Sequence, residues 1–122
     1  MTTLPGIVVT GASGRMGRML IDVINKSDRA TLVGAIERSG HDWVGQDVGV
    51  AMGGTALGVV VTDDAQATIS KAQVVIDFTA PSATLAFAGF AAEVGAVHVI
   101  GTTGMTVDEI AQLKPASSKA II

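Results

Sequence analysis

A chain of 122 residues with 48% hydrophobic and 16% charged residues has room for one domain and is too apolar to be disordered. The absence of cysteine excludes a disulfide scaffold, a thiolate nucleophile and a cysteine zinc site. Eight basic against eleven acidic residues, with no basic run, argue against a nucleic-acid partner. The longest apolar stretch, Leu85 to Ile100, is broken by Glu93 and His98 and falls short of the roughly 20 clean residues of a membrane span. Met1 to Pro5 has neither the basic nor the apolar region of a signal peptide. The expectation is a soluble, cytoplasmic domain.

Short β-branched runs alternate with helical stretches. Ile7–Thr10 reads as a first strand and runs into a glycine-rich turn. Met16, Met19, Leu20, Val23 and Ile24 then recur at helical spacing, which predicts a helix over about 15–26 with these residues on its core face. Thr31–Ile36 reads as a second strand and Val59–Val61 as a third, with a short helix from Ala65 to Lys71. The intervening span from Glu37 to Gly58 is 22 residues with six glycines, long enough to expect a functional or mobile connection, with a short helix around Asp47 to Met52. Val74–Phe78 is a fourth strand. Pro81 suits the first turn of a very apolar helix continuing to Val94. Val97–Ile100 is a fifth strand, Thr106 and Glu109 form a capping box opening a helix to about Leu113, and Lys119–Ile122 reads as a sixth strand.

Near-continuous apolar strands separated by helices predict a parallel sheet covered on both faces, a doubly wound α/β fold. Ligands in such sheets bind beyond the carboxyl ends of the strands, where strand order reverses. The turns after the first, fourth and fifth strands are therefore expected to share one crevice.

The first of these turns is Thr10-Gly11-Ala12-Ser13-Gly14-Arg15-Met16-Gly17, a GxxGxxG spacing. Gly11 permits the tight turn, Gly14 lets backbone approach a pyrophosphate, and Gly17 allows close helix–sheet packing. The N–H groups of Gly14, Arg15 and Met16 are expected to be free for an anion. Glu37, twenty positions past Gly17, ends the second strand, where its carboxylate can accept from both hydroxyls of an adenosine ribose. Arg38 offers a fork of donors to a 2′-phosphate, so the Glu-Arg pair predicts that NADH and NADPH are both accepted; a surface ion pair is the plain alternative. Asp77-Phe78-Thr79-Ala80-Pro81 and Gly101-Thr102-Thr103-Gly104 leave the fourth and fifth strands toward the nicotinamide end. Phe78 suits either the core or that crevice, and Asp77 is expected to hold backbone N–H groups of a neighbouring turn. His98 reads as a packed core residue, His41 as a loop residue with no visible partner, Trp43 as a loop anchor and the methionines as core. Ser13 has no histidine or other base flanking it, which argues against a nucleophilic role.

Gly14-Arg15-Met16-Gly17-Arg18, Glu37-Arg38, Asp77-Phe78-Thr79-x-Pro81 and Gly101-Thr102-Thr103-Gly104, in this order and separation, resemble the amino-terminal domain of the 4-hydroxy-tetrahydrodipicolinate reductase family, over essentially the whole chain. The resemblance implies a single Rossmann-like domain of about six strands that binds NADH or NADPH. Gly11, Ala12, Ser13, Gly14, Arg15 and Met16 would line the pyrophosphate, Glu37 the ribose and Arg38 the 2′-phosphate. Phe78 and Thr79 would lie beside the cofactor and Gly101, Thr102 and Thr103 along the nicotinamide, with Thr103 also facing substrate. It further implies a hydride transfer that forms tetrahydrodipicolinate, on the diaminopimelate route to lysine.

The family's second domain carries a paired-histidine segment, a catalytic lysine and a glycine-threonine substrate loop. None of these occurs in the chain, nor does the Ala-Asn-Phe-Ser-like segment that follows the sixth strand. The expectation is a cofactor-binding half, ending before the substrate domain, with no catalytic residue and no metal site of its own. It would bind a dinucleotide weakly without turnover, as a monomer or weak dimer, where the full-length protein would be a homotetramer. Where many members carry a basic residue after Phe-Thr, this chain has Ala80. Two other readings of the glycine turn are an extended short-chain dehydrogenase, whose YxxxK pair would need a tyrosine this chain lacks, and a nucleotide- or CoA-binding sensor on the same fold.

Overall fold

The computed structural model describes residues 4–101 and the backbone of Ala120–Ile121. Six parallel strands, β1 (Gly6–Thr10), β2 (Thr31–Ile36), β3 (Val61–Thr62), β4 (Val74–Asp77), β5 (Val97–Ile100) and β6 (Ala120–Ile121), lie in the order β3-β2-β1-β4-β5-β6. The order reverses between β1 and β4. The described helices are α1 (Arg15–Lys26), α2 (Val48–Ala51), α3 (Ala65–Ile69) and α4 (Pro81–Val94). No described helix is long and apolar enough to cross a membrane.

Alternation along the strands sends side chains into two cores. Val8, Ile36 and Val75 pack with Ile69, Phe87 and Ala91 under α3 and α4. Val9, Ala35 and Val61 pack with Ala12, Ile21, Ile24 and Val48 under α1 and α2. Both faces of the sheet are covered, as continuous apolar strands require.

Three expectations are corrected. Met16, Met19 and Val23 are 38%, 54% and 58% exposed, whereas α1 buries Gly17, Ile21 and Ile24. The glycine at position 17 lets the helix press against the turn before it, and that contact selects the face turned inward; two apolar stripes of similar period lie along α1, and periodicity alone does not choose between them. The third strand begins at Val61. The segment ahead of it is taken by an antiparallel contact in which Val48 N–H donates to Val59 C=O at 2.8 Å, and Val60 bridges Asp47. Phe78, placed at the end of the fourth strand by its apolar run, lies beyond β4.

The long connection is organised by one carboxylate. Asp47 caps α2 by accepting from Gly49 and Val50 N–H, and it also accepts from Leu57 N–H at 3.0 Å and Gly58 N–H at 2.7 Å. Trp43 packs on the α1-side core, as an anchor should. The expected helix over 106–113 lies outside the described residues.

Candidate functional site

The glycine turn sits at the carboxyl end of β1, beside the point where strand order reverses. Gly11 adopts φ +63°, the left-handed region, and a Cβ there would lie 3.2 Å from Thr79 Cγ2. A Cβ on Gly17 would collide with Gly11 C=O and Ala12 C=O, so helix and turn meet only through a glycine. Gly14 is the N-cap of α1 and supplies no capping side chain. Its N–H donates to Gly11 C=O at 3.0 Å, so it is not free for an anion as expected. The first bond along α1 runs from Arg18 N–H to Gly14 C=O, which leaves the amides of Arg15, Met16 and Gly17 without a helical acceptor. Three N–H donors and the positive end of the helix dipole thus lie at the start of α1, where Gly14 brings no side chain in the way.

Ser13 is held at three atoms. Its N–H donates to Glu37 Oε2 at 2.7 Å, its C=O accepts from Arg18 Nε at 2.8 Å, and its Oγ lies 3.1 Å from His41 Nε2. Arg18 also lies over the Trp43 ring, 5.0 Å from its centroid. His41 therefore has partners, and Ser13 has a histidine beside it, both contrary to expectation. The contact spans 28 positions in sequence and arises only when the loop after β2 folds back over the turn. The geometry still gives Ser13 no nucleophilic role, because His41 Nδ1 accepts from Trp43 N–H, so Nε2 carries the ring proton and donates to the Ser13 hydroxyl rather than taking its proton.

Glu37 is 8% exposed. Burial acts to raise its carboxyl, but the Ser13 amide and hydroxyl and the Arg38 amide outweigh it and hold the group below the ordinary range. Arg38 is exposed and pairs with no carboxylate among the described residues.

A cavity of about 490 Å³ opens between the ends of β1, β2 and β4. Its wall includes Gly11, Ser13, Gly14, Glu37, Arg38, Phe78, Thr79 and Ala80. Ser39, Asp63, Ala83 and Phe87, none of which the motifs singled out, also line it. Asp63 was accessible to the strand-end rule, since it follows β3; Phe87 was not, because an apolar helix residue carries no mark of the cavity it faces. An adjoining cavity of about 280 Å³ is lined by Gly11, Gly14, Arg15, Met16, Gly17, Phe78, Thr79 and Gly101. Phe78 is 36% exposed and stands between the two, against Gly101, where a Cβ would strike its ring. Ala12 is fully buried in the core and lines neither cavity. Thr102 and Thr103 lie outside the described residues.

Beneath the crevice, Asp77 is fully buried. It accepts from Thr10 Oγ1 at 3.0 Å, Thr79 N–H at 3.1 Å, Thr79 Oγ1 at 2.6 Å and His98 Nε2 at 3.0 Å. Asp77 is structural, but in these bonds not through amides of a neighbouring turn as expected: the one backbone donor among them is Thr79 N–H of its own turn, and the others are side chains of Thr10, Thr79 and His98. His98 is a packed residue of β5, 2% exposed, paired to that carboxylate.

The profile of the dihydrodipicolinate reductase N-terminus matches residues 6–122. The 4-hydroxy-tetrahydrodipicolinate reductase of Ruegeria sp. (strain TM1040) is 66% identical over 122 residues, covering 100% of this chain and 45% of that protein. The chain thus spans just under half the length of such curated relatives. Among solved structures it is similar to an amine dehydrogenase from Mycobacterium smegmatis (TM-score 0.76, 26% identity, 97% of this chain and 38% of that chain). It is similar in fold to the dipicolinate-bound dihydrodipicolinate reductase from Paenisporosarcina sp. TG-14 (TM-score 0.73, 18% identity, 94% of this chain and 43% of that chain).

Proposed function

The chain belongs to the dihydrodipicolinate reductase family and corresponds to its N-terminal domain; from that premise we propose that it holds NADH or NADPH for a reductase whose product is tetrahydrodipicolinate. The observation that carries this reading is the bond from Ser13 N–H to Glu37 Oε2. It joins an uncapped helix start, suited to a pyrophosphate, to a buried carboxylate suited to a ribose diol, within one crevice. The family match over residues 6–122 removes the extended short-chain dehydrogenases as a competing reading.

The residues present fit a dinucleotide. The amides of Arg15, Met16 and Gly17 would take the pyrophosphate oxygens. Glu37 would accept from the ribose hydroxyls, and Arg38 would meet a 2′-phosphate. Phe78 and Thr79, with Gly101, Thr102 and Thr103, would bound the nicotinamide, and Thr103 would also face the substrate. The reduced nicotinamide supplies the hydride. This chain binds and orients; with no donor assigned to proton delivery among the described residues, that step and the grip on a carboxylated substrate would fall to residues elsewhere in the full-length enzyme. Full-length protein would assemble as a homotetramer through its second domain, which native mass measurement checks.

Titration of the folded chain with NADH and with NADPH, followed by calorimetry, tests the proposal. Saturable binding of both is expected, with no substrate-dependent NADH oxidation by the chain alone. A folded chain that releases no heat with either coenzyme overturns it.

A further inference from the structure

His41 lies on the loop after β2 with both ring nitrogens engaged. Trp43 N–H is 3.0 Å from Nδ1. An amide can only donate, so Nδ1 carries a lone pair and the ring proton sits on Nε2. Nε2–H therefore donates to Ser13 Oγ, 3.1 Å away. The Ser13 hydroxyl, having accepted from His41, ties that residue to the loop, and the Ser13 N–H in turn donates to the Glu37 carboxylate. The bonds run from Trp43 N–H to His41 Nδ1, from His41 Nε2–H to Ser13 Oγ, and from Ser13 N–H to Glu37 Oε2. The 2.7 Å bond from Ser13 N–H engages Oε2, while Oε1 has only a 3.3 Å contact with Arg38 N–H.

We propose that His41 is a positioning residue of the cofactor site: through Ser13 it fixes the Glu37 carboxylate so that Oε1 is the oxygen offered to the adenosine ribose. The inference rests on the dinucleotide reading above and adds a determinant to it. A ribose with both hydroxyls free gains from a pre-aimed acceptor. A ribose carrying a 2′-phosphate gains little, since the phosphate is itself an acceptor and draws on Arg38. His41 thus favours NADH over NADPH without touching either.

The test is the dissociation constant for each coenzyme, measured by calorimetry on the intact chain. His41→Ala is expected to weaken NADH about fivefold, the size of one lost hydrogen bond, and NADPH less than twofold. Two replacements separate positioning from loop architecture. His41→Gln places an N–H donor near the Nε2 position and should restore most of the NADH affinity. His41→Asn places an acceptor near Nδ1, able to cap Trp43 N–H but too short to reach Ser13, and should not. Ser13→Ala should reproduce the NADH loss, and its combination with His41→Ala should add nothing further, since both break the same chain of bonds. Rescue by Asn and not Gln, equal losses for both coenzymes, or additive losses in the double variant would overturn the inference while leaving the proposed function standing. An unsubstituted chain that binds neither coenzyme overturns the proposed function, and this inference with it. Should His41→Ala fail to fold, the Ser13→Ala and His41→Gln affinities decide alone.

Discussion

Asp77 Oδ2 and His98 Nε2 stand 3.0 Å apart on adjacent strands, both side chains sealed from solvent beneath the crevice. A carboxylate only accepts, so His98 must donate from Nε2, and its Nδ1 is left buried with no partner among the described residues. Asp77→Asn places an amide where donors from Thr10, Thr79 and His98 now converge. Either the amide N–H₂ meets a donor, or His98 shifts its proton to Nδ1 and buries an unpaired N–H. The expected loss is about 1–3 kcal/mol, the cost of an unsatisfied buried polar group, read from urea denaturation. A loss under about 0.5 kcal/mol would show that the network relaxes freely.

Acid should expose the same network. Burial alone would raise the Asp77 carboxyl, but the bonds from His98, Thr79, Thr84 and Thr10 prevail and hold it below its ordinary value; Glu37 is likewise depressed, against burial, by Ser13 and Arg38. A group lower in the folded than in the unfolded state contributes stability that is complete above the unfolded value, about 4 for carboxylates, and is lost as pH falls through the folded one. Denaturant midpoints should therefore gain no slope from these two groups between about pH 6 and 8 and should fall below about pH 4. The fall should be shallower in Asp77→Asn.

Gly17→Ala tests the turn. The added methyl would collide with Gly11 C=O, which lies in backbone and cannot swing aside. The expected cost is roughly 1–3 kcal/mol, with loss of coenzyme affinity because the α1 amides move with the helix. Unchanged thermal midpoint and unchanged NADH titration would contradict the packing described.

Arg38→Ala tests the phosphate end. Losing a charge-assisted fork should weaken NADPH by about tenfold or more and NADH by less than about twofold. Equal losses would mean that Arg38 never approaches the 2′ position.

Much of the architecture was legible in the order of residues. Ile7–Thr10, Thr31–Ile36, Val74–Asp77 and Val97–Ile100 are β-branched runs buried on both faces, and each is a strand of the sheet. The Gly11, Gly14, Gly17 spacing and the acid twenty positions on could be read because turn geometry and strand length tie them to short stretches of chain. Local signals fail where two solutions share one period. The Met16–Met19–Val23 stripe on α1 was as apolar as the true inner face, and only contact with the turn chose Ile21 and Ile24. They fail again where a partner lies far along the chain: nothing near Ser13 announces His41, and nothing near Thr10 announces Asp77, 67 positions away.

Sequence by itself determined the alternation of strand and helix, the glycine turn and the carboxylate that follows it, since periodicity and backbone sterics act over a few residues. Which side of α1 turns inward, which oxygen of Glu37 remains available, and how Ser13 is gripped from three directions were decided by tertiary structure. Those features depend on hydrogen bonds between segments that meet only once the sheet has formed, and a one-dimensional pattern carries no record of distance in space.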